Sequence, residues 1–282
     1  MLKHRLIVSL AGLPLFVAIV WFGEPWFTIM IAGWGVVSAF EFYKLVNHSN
    51  NMPFTSFGLI WTLLLIINPY FGNQFVLPLF LTTAVIFPLI LMLLRKNKQY
   101  GFTGWVWTIA GIIYIGWILS YWISLSSLNN DPSILGSLPG RNWVFLGFFA
   151  TFGSHTTAYF VGKKWGKHYL APGVSPKKTW EGTISGILAA VIVSLLFTLP
   201  TPLQLSSTFF HIWQAIVLGI AISVMGQMGD LMKSFFKRNM GVKDSSNLIP
   251  GHGGFLDRMD SIAFAGVVVY YYLVWVNLIP FR

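Results

Sequence analysis

The sequence predicts an all-α polytopic membrane protein of about nine transmembrane helices, with its N-terminus and its active site facing the cytoplasm. Three observations lead there. Charged residues make up only 9% of the 282 positions and hydrophobic ones 55%, whereas about a quarter of an ordinary soluble domain is charged. Apolar runs of about the 20 residues needed to cross a bilayer recur along the whole chain. The basic residues between those runs fall almost entirely on alternate connections, as the positive-inside rule requires.

The runs are 6–22, 26–46, 56–72, 75–94, 104–125, 142–162, 183–199, 208–229 and 260–280. No Ala-x-Ala-like cleavage site follows the first, so it reads as a retained helix and not as a signal peptide. The third is broken near its end by Asn68-Pro69. With the N-terminus inside, sixteen basic residues are cytoplasmic: Lys3, Arg5, Lys44, Arg95, Lys96, Lys98, Lys163, Lys164, Lys167, Lys177, Lys178, Lys233, Lys237, Arg238, Lys243 and Arg258. Only Arg141 and Arg282 fall outside. One helix more or fewer would scramble the sides. The net charge of +10 is therefore topological first and is not read as a nucleic-acid footprint. The chain has no cysteine, which removes disulfides, thiolate metal sites and cysteine nucleophiles.

The polar groups divide the chain. Residues 1–141 read as scaffold helices, and 126–141, rich in Ser, Asn, Gly and Pro, as an external loop. Residues 142–282 read as the catalytic region, with cytoplasmic loops at 163–182 and 231–259. Five of the eight acids, Glu181, Asp230, Asp244, Asp257 and Asp260, lie at the cytoplasmic side of the last four runs. Ionisable groups this close to apolar segments are costly and are functional candidates by default.

Three motifs gather them. The stretch from Ser234 to Ser261 packs Lys237, Arg238, Lys243, Asp244, Asp257, Arg258 and Asp260 into 28 residues. In it, Gly251, Gly253 and Gly254 flank His252 and allow backbone N–H groups close to an anion. Asp257 and Asp260 stand three apart and share one face of a helix, as joint hard-cation ligands would. The second motif runs from Ser175 through Pro176, Lys177, Lys178, Thr179, Trp180 and Glu181 to Gly182, just ahead of the seventh run. Lysines suit phosphate as compact charges with movable donors. The third, Gly226-Gln227-Met228-Gly229-Asp230-Leu231, ends an apolar run in an acid, and its glycines permit close helix packing. Lys163, Lys164 and Lys167 read first as positive-inside charge, and Asp244 either pairs with Lys243 or serves catalysis.

The Ser234–Ser261 stretch resembles the signature of the phosphatidate cytidylyltransferases, which runs S-x-hydrophobic-K-R-x4-K-D and then H-G-G-x-x-D-R-x-D. The Ser175–Gly182 motif and Gly-Asp-Leu resemble two further motifs of that family. Roughly residues 153–261 are covered by fixed positions; the first half is similar in hydropathy and around Glu41-Phe42-Tyr43. The resemblance implies transfer of a cytidylyl group from CTP to phosphatidate, giving CDP-diacylglycerol and pyrophosphate in phospholipid synthesis at the cell membrane. It implies catalytic roles for Asp230, Lys237, Arg238, Asp244, Asp257 and Asp260. Asp230, Asp257 and Asp260 would hold Mg²⁺, with a second cation left open. Ser175, Lys177, Lys178, Thr179, Glu181, Lys243, Gly251, His252, Gly253, Gly254 and Arg258 would bind substrates. CTP, phosphatidate and bilayer lipids are the implied partners; nucleic acid is not, and a homodimer stays open.

The chain departs from the family pattern at three places. His155 stands where family members usually carry an acid, three residues before Ala158-Tyr159-Phe160. Lys233-Ser234 stands where Glu-Ser usually follows Gly-Asp-Leu, and Ser246 where Gly often follows Lys-Asp-Ser. Three other readings are thereby kept: an inactive or altered-substrate paralogue, a CTP-dependent polyprenol or lipid kinase, and a transporter with a cytoplasmic anion gate. Against the last, the ionisable groups lie at the predicted membrane surface and not at mid-bilayer. Against the CDP-alcohol phosphotransferases, no Asp-Gly pair is present to start their motif.

Overall fold

The computed structural model describes residues 2–49, 51–72, 75–94, 101–127, 140–205, 210–242, 244–246 and 253–278. Each apolar run of the sequence becomes a helix: α1 (Leu2–Phe22), α2 (Trp26–His48), α3 (Thr55–Ile67), α4 (Val76–Leu94), α5 (Gly101–Ser126), α6 (Gly140–Trp165), α7 (Trp180–Leu196), α8 (Ile212–Asn239) and α9 (Leu256–Leu278). Where Asn68-Pro69 breaks the third run, the helix tightens into a 3₁₀ turn, Asn68–Phe71. Among the described residues, α2, α4, α5, α6, α8 and α9 contain stretches long and apolar enough to cross a membrane. The other apolar stretches, Gly12–Phe22 within α1, Thr55–Phe71 and the 17 residues of α7, are shorter. The protein is a helical membrane protein.

The all-α expectation needs one correction. The loop expected at 163–182 contains an antiparallel hairpin, β1 (Tyr169–Ala171) and β2 (Ser175–Thr179), with Tyr169 opposite Thr179 and Ala171 opposite Ser175. Its turn is closed by the Val174 N–H donating to Ala171 O at 3.1 Å. Pro172 and Gly173 occupy the middle of that turn, where a fixed φ and a missing side chain favour reversal. The Pro-Gly pair was a legible turn signal.

Two compact units emerge, and they do not divide at residue 141. The first comprises Met1–Ser124 with Asn239–Met259, so much of the signature stretch groups with the N-terminal helices. Its fixed point is Tyr43 on α2, fully buried. A Cβ at either Gly58 on α3 or Gly111 on α5 would collide with the Tyr43 ring, so both positions must stay bare. The Tyr43 hydroxyl donates to Thr108 O at 2.9 Å. These contacts set the rotation of α2 about its axis, and with it the direction of Glu41.

The second unit comprises Leu125–Arg238 with Asp260–Arg282. Here helices approach through small residues, which apolar solvent demands when burial alone gives little drive. A Cβ at Gly182 would lie 2.7 Å from Ala158 O, and one at Gly186 2.9 Å from Ser154 O, so α6 and α7 meet backbone to backbone. Gly219 brings α8 equally near Val191 of α7, and Gly229 brings it near Asp260 O of α9 at 2.8 Å. A buried polar string threads this packing. Ser154 and Ser223 share a hydrogen bond of 2.7 Å, and Gln227 Nε2 donates to Ser223 Oγ at 3.0 Å. On α7, Ile184, Leu188 and Ile192 recur every four residues on one exposed apolar face.

Candidate active site

The site residues form two clusters, one in each unit. In the second unit, α8 carries Asp230 and Lys233 one turn apart, β2 supplies Lys178, and α9 supplies Asp260. Lys178 Nζ lies 2.7 Å from Asp230 Oδ2, and Lys233 Nζ lies 2.9 Å from Asp230 Oδ1. The same Lys233 nitrogen is 2.9 Å from Asp260 Oδ2, so one ammonium bridges two carboxylates. Asp260 is 0% exposed, and among the described residues its Oδ1 has no hydrogen-bond partner. A charge so placed is tolerable only when paired. Lys178 also donates to Gln227 O at 3.3 Å, which ties β2 to α8.

Two residues of the second motif have local duties. Thr179 caps α7 by accepting from the Gly182 N–H at 3.2 Å. Glu181, expected to bind substrate, lies 2.6 Å from His168 Nδ1 and 3.3 Å from its backbone N–H, just ahead of the hairpin. Ser175 and Lys177 lie on β2, Lys177 exposed. Lys237 and Arg238 occupy the last turn of α8, where cations complement the helix dipole. His155, on α6, is largely enclosed opposite Gly226, and among the described residues its Nε2 has no hydrogen-bond partner.

The first unit holds the other cluster. Asp257, in the first turn of α9, accepts at Oδ2 from Ser245 N (2.9 Å), Ser245 Oγ (2.9 Å) and Gly254 N (3.2 Å). Glu41 accepts from the Phe255 N–H at 3.1 Å and the Leu256 N–H at 2.8 Å, and from the hydroxyls of Ser245 and Ser246. Glycine is required at two neighbouring positions: Gly253 has φ +82°, and a Cβ at Gly254 would strike Ser245 Oγ and Glu41 Oε2. The Gly254 N–H, one of the amides expected to approach substrate phosphate, donates to Asp257 Oδ2. Asp244 and Arg258 are exposed. Lys243, Gly251 and His252 lie outside the described residues.

Charge alternation of this kind, lysines and carboxylates interleaved beside apolar helices, suits an anionic substrate with a hard cation. Comparison with known proteins decides the family. A model described as the cytidylyltransferase family matches residues 3–276. The chain belongs to that family. It is 32% identical over 280 residues to a phosphatidate cytidylyltransferase of Bacillus subtilis, covering 96% of this chain and 97% of the relative. A phosphatidate cytidylyltransferase of Staphylococcus saprophyticus is 30% identical, covering 93% of this chain and 95% of its own. A chloroplast phosphatidate cytidylyltransferase 4 of Arabidopsis thaliana is 31% identical, over 96% of this chain and 73% of its own length.

For a cytidylyltransferase-family chain, two polar residues stand out that the site expectations omitted. Lys233, a departure from the family pattern that puts a cation one turn from Asp230, is the bridge of the acidic pair. Glu41 was assigned to the scaffold. It was an acid inside an apolar run, 1% exposed, and that alone was a signal.

Proposed function

We propose that the protein transfers the cytidylyl group of CTP to phosphatidate, forming CDP-diacylglycerol and releasing pyrophosphate. The observation that carries this reading is the Lys178–Asp230–Lys233–Asp260 cluster, in a chain of the cytidylyltransferase family. A phosphate oxygen of the lipid attacks the α-phosphorus of CTP, and the bond from that phosphorus to the β-phosphate bridging oxygen breaks. The lipid is its own nucleophile, so positioning and charge neutralisation are what the protein must supply. Lys177, Lys178, Lys237 and Arg238 are the cations offered to the triphosphate and to the lipid headgroup. The exposed apolar face of α7 lets acyl chains approach from the bilayer.

Mg²⁺ suits the hard carboxylates of Asp230 in the second unit and of Asp257 in the first, each taken by itself. Asp260, fully buried against Lys233, would have to give up that partner to serve as a ligand. Among the described residues no three Asp, Glu or His side chains cluster as a protein-only cage, and Mg²⁺ usually keeps waters and substrate phosphates as its other ligands. When bound, the ion would neutralise charge on the reacting phosphates.

The test is direct. Purified protein in detergent with phosphatidate and Mg²⁺ is expected to move label from cytosine-labelled CTP, and none from γ-phosphate-labelled CTP, into lipid. Label from the γ-phosphate would mean a CTP-dependent lipid kinase instead, and no lipid label from either would mean an inactive paralogue.

The nine-span arrangement with its site in the cytoplasm belongs to the same proposal, supported by the sixteen-to-two charge asymmetry. Lys167 is exposed just after α6, and the chain has no native cysteine. A Lys167→Cys protein is expected to resist an impermeant maleimide in intact cells and to react once the membrane is opened. Labelling from outside would reverse the topology.

A further inference from the structure

We propose that Glu41 is a positioning residue of the active site: it locks the loop before α9 and, through Ser245, sets the placement of the Asp257 carboxylate. The proposal rests on the reading that Asp257 serves cytidylyl transfer. A carboxylate in an apolar helix costs several kcal/mol unless its oxygens are hydrogen-bonded, and among the described residues no basic side chain pairs with Glu41. Four donor groups face it instead, one of them, the Ser245 hydroxyl, shared with Asp257. All come from 204 to 215 residues away: the hydroxyls of Ser245 (3.1 Å) and Ser246, and the N–H groups of Phe255 and Leu256. The two N–H groups open α9, where a negative charge is favoured by the helix dipole.

The connection to Asp257 is one atom long. Ser245 Oγ lies between the carboxylates, 3.1 Å from Glu41 Oε2 and 2.9 Å from Asp257 Oδ2, so its single proton serves one of them at a time, while the Ser245 backbone N–H donates to the same Asp257 oxygen. Trp34, also on α2, donates from Nε1 to Phe255 O at 3.3 Å and pins the loop a second time. Because Tyr43 fixes the rotation of α2, Glu41 arrives on a rigid element. It also occupies helix N-terminal amides that would otherwise attract a substrate phosphate. An internal anion thus fills that site and leaves substrate phosphates to the lysines.

A glutamine at 41 has the same shape but turns an –NH₂ towards two of the four donors. Glu41→Gln is expected to lower kcat at least about tenfold, the usual scale for groups that orient a metal ligand. It should raise the Mg²⁺ concentration for half-maximal rate and change the KM for CTP little. Ser245→Ala, which keeps Glu41, is expected to show the same pattern at smaller size. Amide exchange of residues 253–258 should rise in Glu41→Gln while that of α8 stays as in the parent. If either variant only lowers yield or unfolding temperature, with kcat and Mg²⁺ dependence unchanged, Glu41 is structural and the proposal falls. If the parent transfers no cytidylyl group, the functional reading fails separately. Amide exchange then decides, and unchanged exchange in Glu41→Gln overturns the clamp.

Discussion

Asp230→Asn is expected to reduce cytidylyl transfer about a thousandfold. A cation held on the reacting phosphates contributes several kcal/mol, and about 1.4 kcal/mol is tenfold in rate. Asp230 is the group most exposed to that loss, because its carboxylate meets both Lys178 and Lys233 while remaining about a quarter exposed. Asparagine preserves the shape and removes the charge, and Lys233 keeps Asp260 as a partner, so folding should survive. Asp257→Asn is expected to act in the same direction, its loop contacts being partly replaceable by an amide oxygen. Lys163→Gln and Lys164→Gln provide the contrast. Both side chains are exposed on the last turn of α6, lying near the rings of Tyr159 and Trp165, and each should cost no more than about threefold, as surface charges usually do. Steady-state rates in detergent at saturating Mg²⁺ check all four. Equal losses would mean that the chemistry lies elsewhere.

The sequence made the helices legible because apolar solvent leaves little choice: a run of that length must satisfy its own backbone, and only a helix does so within one segment. Even the break at Asn68-Pro69 was visible. The Pro172-Gly173 turn and the lone acid at Glu41 carry local signals of their own. Other features carry none. Nothing near Lys233 announces that Asp260, 27 positions later, is brought against it, because that meeting depends on Gly229 letting α9 approach α8. Nothing near Glu41 announces Ser245, Ser246, Phe255 and Leu256 either. Motif residues were readable as types at spacings. Their partners were set by packing between distant helices, and so Glu181 and the Gly254 amide, expected at substrate, are engaged by the protein itself.

Lys233→Met is expected to destabilise the protein by about 3–5 kcal/mol, the usual cost of stripping one partner from a buried ion pair. The stranded group is Asp260, fully buried, whose only ionic partner among the described residues is Lys233. If that is the cause, Asp260→Asn added to Lys233→Met should recover most of the loss. Chemical unfolding in detergent, run as a double-mutant cycle, measures it, and additive losses would show that the bridge carries no coupling. The bridge also bears on catalysis. Its ammonium sits between two carboxylates, where a further cation would otherwise be needed to hold them together. The hypothesis is that Lys233 supplies a fixed charge in place of part of a metal site, leaving one Mg²⁺ essential. Lys233→Glu then puts three acids together and should lose most activity at low Mg²⁺, with partial recovery as Mg²⁺ rises. Adding His155→Asp, which supplies a further oxygen ligand opposite Gly226, should recover more and steepen the Mg²⁺ dependence. Parent-like rates for His155→Asp, Lys233→Glu and their combination at every Mg²⁺ concentration would put both side chains outside the catalytic shell. Activity in the double variant with none in the parent would instead mark the natural sequence as a chain that has exchanged its metal for a lysine and its turnover with it.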